Sequence, residues 1–280
     1  MYKKEHATLI GYALRAQAIA DAIGEDFEFC TNIDNSEVRS AIESDSVIHI
    51  TDDTQMTMFG LEAMINGGVS KIPSYYTMWR LTQMSKAPFY LEPDSGLLVD
   101  DINMWQIRAP GNTCLSSILE LSRGYTVDNN SDGCGTVMKA LPFLFHEDCL
   151  QLIDVSLLTH LGPQVVPAAT LQWKYANHLM NGEIYYLHKG KDLADVFGDG
   201  GWRAKSCLDI AIWAFENCEG NFEKMLELAI GHDGDSDSVA ATAGVFYGLY
   251  YKQYPAKLYA RVYEKDTIDA LIKRIEDKAI

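Results

Sequence analysis

Apolar side chains recur every three or four residues along most of the chain. Between residues 9 and 23 the positions Leu9, Ile10, Ala13, Leu14, Ala16, Ile19, Ala20 and Ile23 keep helical spacing, and Gly24 is a natural C-terminal stop. A second helix is predicted to open at Asp52, where Gln55 three residues on gives a capping-box-like start. Met56, Phe59, Ala63 and Met64 then fall on one face, and Gly67-Gly68 ends the segment. The same spacing predicts helices over residues 75–84, 114–123, 150–160, 168–180 (with Pro167 in the first turn), 206–217, 222–230, 238–251 and 267–278. Segments that alternate with period two between turns are scarce, so the pattern predicts an all-α fold.

Composition narrows this picture. A chain of 280 residues with 48% hydrophobic content can bury one large core. No Pro/Gly/Ser-rich linker, repeat or low-complexity stretch divides it, which predicts a single domain over 1–280. The longest apolar runs are short of a membrane span, and Lys3-Lys4-Glu5-His6 leads into an amphipathic segment rather than a signal-peptide core. The expectation is a cytoplasmic protein without a membrane partner. A formal net charge of -16 argues against a nucleic-acid partner, because phosphate backbones demand clustered Lys and Arg. It leaves room for a small phosphorylated ligand, which backbone N–H groups, helix N-termini and a metal can hold. The six cysteines show no C-x-x-C pair, so reduced, mostly buried thiols are expected and structural zinc is not.

Two acidic runs carry the chemistry. Thr51-Asp52-Asp53-Thr54 and Asp233-Gly234-Asp235-Ser236-Asp237-Ser238 each open into a helix-periodic segment. Carboxylates packed this closely repel by about 1 kcal/mol per pair at 4 Å in water and about 4 kcal/mol at an effective dielectric of 20, so they take up protons or a cation. Oxygen ligands suit Mg²⁺, Mn²⁺ or Ca²⁺. Alone, the first run is a helix cap more often than a ligand set. The second places three acids at alternate positions, more than a cap needs. It is not an EF-hand: counting from Asp233, the required Gly falls on Ser238 and the bidentate Glu on Gly244. The small residues of Val239-Ala240-Ala241-Thr242-Ala243-Gly244 permit close packing on a neighbouring helix, which would bring Asp235 and Asp237 against the first run. Converging runs supply enough oxygens for two cations about 3.5 to 4 Å apart.

Weaker signals surround these. Glu28 follows the first helix in an aromatic setting, and by itself is an ordinary loop carboxylate. Ala109-Pro110-Gly111-Asn112-Thr113 and Ser131-Asp132-Gly133-Cys134-Gly135-Thr136 could cradle phosphates, although glycine turns are the commoner use of such loops. His160 ends a predicted helix, where a packed or capping role is commoner than a ligand role.

In this order the motifs resemble the ADP-ribosylglycohydrolase family, from Asp21 to about Gly248. The resemblance implies a compact single-domain all-α fold holding two Mg²⁺ or Mn²⁺ ions. It implies cleavage of the bond between ADP-ribose and a protein side chain, with ADP-ribosylated protein as substrate and ADP-ribose as product. Thr51, Asp52 and Asp53 match the first ligand set, and Asp235, Asp237 and Ser238 the second. Asp52, Asp53 and Glu28 are the catalytic candidates, with an acid such as Asp52 or Asp53 deprotonating water. Asp21, in Ala20-Asp21-Ala22-Ile23-Gly24, matches the N-terminal Gly-Asp-Ala-x-Gly motif. Gly133, Cys134, Gly135 and Thr136 resemble the loop that contacts pyrophosphate and distal ribose, and His160 a histidine on the same side. Ala20, Cys134, Lys139 and Gly162 depart from common Gly, Asn, Arg and His. Arginine is the expected acceptor, and a cognate ADP-ribosyltransferase fits as a partner, either in toxin immunity or in regulation. Two other readings stay open: an HD-type metal phosphohydrolase using His232-Asp233 and His160, and a non-catalytic module binding ADP-ribose or Ca²⁺.

Overall fold

A computed structural model of the chain describes residues 2–84 and 96–280. Among the described residues it is built of α-helices, with no strand and two isolated bridges, Ile48 to Val262 and Gly133 to Arg203. In chain order the helices are α1 (Lys4–Gly24), α2 (Asn35–Glu43), α3 (Asp52–Ile65), α4 (Ile72–Met84), α5 (Leu97–Asp100), α6 (Asn112–Ser122) and α7 (Leu150–Leu157). They continue with α8 (Val165–Met180), α9 (Ala204–Asn217), α10 (Phe222–Ile230), α11 (Ser236–Tyr251), α12 (Ala256–Tyr259) and α13 (Lys265–Lys278). The ten helices expected from apolar spacing are all present. The expected all-α class holds.

Three helices escaped that spacing. α5 and α12 are single turns, too short to show a period. α2 buries only Val38 and Ile42, yet it carries a full capping box in which Asp34 accepts from Ser36 N–H at 2.7 Å and Glu37 reaches back to Asp34 N–H at 3.2 Å.

Two central helices organise the site. α3 is buried at every position from Asp52 to Ile65, not along one face, as befits a helix surrounded by others. α11 is buried from Ser236 to Leu249. The close approach expected of its small residues is realised against α1. A Cβ on Gly24 would lie 2.6 Å from Asp237 Cα, one on Gly244 2.7 Å from the Ala16 carbonyl oxygen, and one on Gly248 2.5 Å from Ala13 Cα. No larger side chain fits without moving backbone. This contact sets the C-terminal end of α1 beside the N-terminal end of α11. Gln17 of α1 then ties in α3 and the loop before Met138, its Nε2 donating to Thr57 Oγ1 at 3.0 Å and to the Met138 carbonyl at 2.9 Å. No helix among the described residues is long and apolar enough to cross a membrane.

Candidate active site

Three helix ends converge. Thr51 is the N-cap of α3 and its hydroxyl accepts from Asp53 N–H at 3.2 Å. Asp235 is the N-cap of α11 and accepts from Ser238 N–H at 3.4 Å, while Asp237 accepts from the same N–H at 2.9 Å. Asp21, on the last turn of α1, accepts from the backbone and hydroxyl of Thr51 and from Thr54 N–H at 3.2 Å. Carboxylate oxygens of Asp21, Asp53 and Asp237 lie within 4.8 Å of one another, and so do those of Glu28, Asp235 and Asp237. Asp237 belongs to both groups, and neither contains a histidine.

Burial makes this cluster costly to charge. Asp21, Asp52, Asp53, Asp235 and Asp237 are each at most 5% exposed. Burial first, and Asp237 second, push the Asp21 carboxyl up to about 7 and that of half-buried Glu28 up to about 8. The same two causes raise Asp52, Asp53 and Asp235 well above the carboxylate range. Asp53 Oδ2 is buried and has no hydrogen-bond partner among the described residues. Hard oxygen donors, shared repulsion and an orphaned carboxylate oxygen are what a divalent cation would relieve, so the donor set fits Mg²⁺, Mn²⁺ or Ca²⁺.

The cluster lines a cleft of about 360 Å³. Glu28, Asp52, Asp53, Asp235, Asp237 and Ser238 contribute acids and a hydroxyl; Gly133, Cys134, Gly135 and His160 also line it. The N-terminus of α6 enters as Gly111, Asn112 and Thr113, with no side chain capping it. Gly111 N–H donates to Asp52 Oδ2 at 3.4 Å. Asp21, Thr51 and Thr136 do not line the cleft. Asp21, linked by sequence with the ligand-contacting residues, is brought against Thr51 and Asp53 behind that surface, and the Thr136 hydroxyl turns back to the Gly133 carbonyl at 3.3 Å. A larger hollow of about 550 Å³ lies by Tyr2, His6, Phe145 and His146, and no predicted site residue lines it.

The glycine loop is shaped by what touches it. A Cβ on Gly133 would sit 3.0 Å from His160 Nε2, and one on Gly135 2.9 Å from both Cys114 Sγ and His160 Cε1. Gly162 has a steric reason too: a Cβ there would overlap Asp132 Oδ1, which accepts from Gln164 N–H at 2.7 Å. A second histidine cannot stand at that position. Cys134 packs beside Ser238, whose hydroxyl lies 3.7 Å from its Sγ.

Sequence reading missed two aromatic residues of the cleft, Phe29 and Trp202, whose rings stack at 5.0 Å and 25°. Phe29 is 71% exposed. The local signal was Gly200-Gly201 before Trp202. Both glycines have positive φ, and a Cβ on Gly200 would meet the Asp233 carbonyl at 2.6 Å. That loop also receives Asp235 N–H on the Gly200 carbonyl at 2.8 Å, so it braces the start of α11.

The family model of ADP-ribosylglycohydrolase matches residues 10–279. The chain belongs to the ADP-ribosylglycohydrolase family. A solved structure described as an ADP-ribosylglycohydrolase-related protein complex is similar in fold, with a TM-score of 0.71 at 20% identity over 99% of this chain and 100% of that one. No curated protein matches. Membership indicates a hydrolase acting on ADP-ribosylated substrate with ADP-ribose as product. In this chain His232 is buried beside Phe197, the ring centroids 6.1 Å apart. It does not line the cleft, which removes the His-Asp pair on which a phosphohydrolase reading depends.

Proposed function

We propose that the chain, working as one cytoplasmic domain, hydrolyses the bond between C1″ of ADP-ribose and a protein side chain, with arginine as preferred acceptor and two divalent ions as cofactor, Mg²⁺ or Mn²⁺. The observation that carries this reading is the pair of acid groups sharing Asp237 at a cleft that also holds a glycine loop and a helix N-terminus. Asp21, Asp53 and Asp237 would hold one ion, and Glu28, Asp235 and Asp237 the other, with Thr51, Asp52 and Ser238 alongside. Bound there, the ions supply Lewis acidity and offset charge as the glycosidic bond breaks.

The chain's own groups divide the remaining work. The uncapped start of α6 presents N–H groups suited to an anion, and Gly133 to Gly135 allow backbone to approach it closely. Phe29 and Trp202 offer faces on which a base can stack. Asp52, its Oδ2 held by Gly111 N–H, faces the cleft as the general base, with Asp53 next to it. Glu28 closes the acid side from the loop after α1. A net charge of -16 tolerates a cationic guanidinium at the acceptor end. Reversal of a modification made by a cognate ADP-ribosyltransferase, a toxin or a regulatory enzyme, is the setting that follows.

The test is release of free ADP-ribose from arginine-linked and serine-linked proteins, with and without chelator. Release from the arginine linkage that stops with chelator is expected. Release that ignores chelator would remove the metals from the proposal, exclusive serine release would replace the acceptor, and tight ADP-ribose binding without turnover on any linkage would leave a binding module.

A further inference from the structure

Lys139 is a buried cation outside the acid cluster. It is 1% exposed, and its Nζ makes one hydrogen bond among the described residues, to Thr159 Oγ1 at 2.7 Å, with the Tyr76 ring 5.7 Å away. Thr159 Oγ1 is also 2.8 Å from His160 Nδ1 and 3.4 Å from the Ser156 carbonyl. His160 Nε2 has no hydrogen-bond partner among the described residues and belongs to a ring that lines the cleft beside Gly133 and Gly135.

The proton count along this chain is constrained. An ammonium has no lone pair, so Lys139 must donate and the Thr159 oxygen must accept. The Thr159 hydroxyl then has one proton for two acceptors. The imidazole nitrogen at 2.8 Å is far better placed than the carbonyl at 3.4 Å. Electrostatics agree, because a lone pair on Nδ1 turned toward the ammonium is favourable and an N–H dipole there is not. Burial and the Lys139 charge push His160 down to about 3, so the ring is neutral and carries one proton. That proton is left for Nε2.

We propose that Lys139, acting through Thr159, fixes His160 as the Nε2–H tautomer, so that the ring offers a hydrogen-bond donor to an anionic oxygen in the cleft. Lys139 is thus a positioning residue: it never faces the ligand, and it decides whether His160 gives or takes a hydrogen bond. The tautomer stands on the contacts and on the burial that keeps the ring neutral; its use on a diphosphate oxygen rests on the function proposed above.

Long-range ¹H–¹⁵N correlation spectra of the whole protein separate the two tautomers, and the His160 signals are assigned by their loss in His160→Gln. Wild type and Lys139→Arg are expected to show Nε2 protonated. Lys139→Met and Thr159→Val are expected to show the Nδ1–H form appearing, and to bind ADP-ribose about tenfold or more weakly, the effect of losing one hydrogen bond to a charged group. Nδ1 protonated in wild type would overturn the proposal, as would an unchanged Nε2–H state in both Lys139→Met and Thr159→Val. Should Lys139→Met fail to fold, wild type and Thr159→Val still decide the matter. If wild type shows Nε2–H but binds no ADP-ribose, the tautomer stands and the proposed function falls.

Discussion

Thr51 gives Asp21 both its backbone N–H and its hydroxyl, at 3.0 and 2.7 Å, locking the end of α1 to the start of α3. With Thr54 N–H as the third donor, Asp21 satisfies groups that burial would otherwise leave orphaned. Asp21→Ala should therefore lower stability by about 2–4 kcal/mol, since each stranded buried donor costs roughly 1–3 kcal/mol and relief of repulsion with Asp237 returns only part of it. Thermal denaturation in chelator measures this. An unchanged midpoint would mean that the contact does not hold the two helices.

Asp237 is the shared member of both acid groups. In wild type, Mg²⁺ or Mn²⁺ at a hundred times its dissociation constant should stabilise the fold by about 2.7 kcal/mol for each ion bound. Asp237→Ala should lose that increment and all chelator-sensitive turnover, while its metal-free midpoint stays level or rises because one repelling charge is gone. A full cation-induced upshift in the variant would exclude Asp237 as a ligand.

Stability without cation should fall as pH rises. The carboxyls of Asp21, up to about 7, and Glu28, up to about 8, hold protons in the folded protein that the unfolded chain, titrating near 4, has already released. The folded state binds more protons across that interval, so unfolding free energy declines from about pH 4 toward pH 8. Chelator-treated protein should melt a few degrees lower at pH 8.5 than at pH 6, and saturating Mg²⁺ should flatten the slope. A midpoint that climbs with pH in chelator contradicts this account.

Gly24→Ala tests the seam between α1 and α11. Gly24 has helical backbone angles, so the substitution meets no conformational penalty. Its Cβ would nevertheless lie 2.6 Å from Asp237 Cα. A loss of about 1–3 kcal/mol is expected from overpacking, together with weaker cation uptake as Asp237 shifts. Calorimetry with and without Mg²⁺ reads both effects.

Trp202→Ala should leave the fold intact, because the ring is partly exposed, and weaken ADP-ribose binding by about tenfold to a hundredfold, in keeping with loss of one base-stacking surface. KM should rise more than kcat falls. Equal losses in both would place Trp202 in the chemistry instead.

Much of this was readable because it is local. Acids at alternate positions before an apolar helix, as at Asp235 and Asp237, announce themselves within a few residues; the caps do so less well, since α3 is capped by Thr51 rather than by an Asp52–Gln55 box, and α11 starts at Ser236 behind Asp235 rather than at Ser238. The small residues of α11 foretold a close neighbour but not its identity: alanine and glycine say how near a helix can come, not which one. Phe29 and Trp202 meet across a long stretch of sequence, and no periodicity joins them. Lys139 looked like a variant of a common arginine. Only Thr159, brought to its Nζ by the turn after α7, gives that lysine a purpose.

The pairing of α1 with α11 also sets a timetable. A ribosome makes α1 some two hundred residues before α11, so the nascent alanine-rich face of α1 waits for its partner while the intervening helices emerge. Such distant closure is slow to form. A chain terminated before Asp237 would thus lack both acid groups at once, an all-or-none loss rather than a graded one.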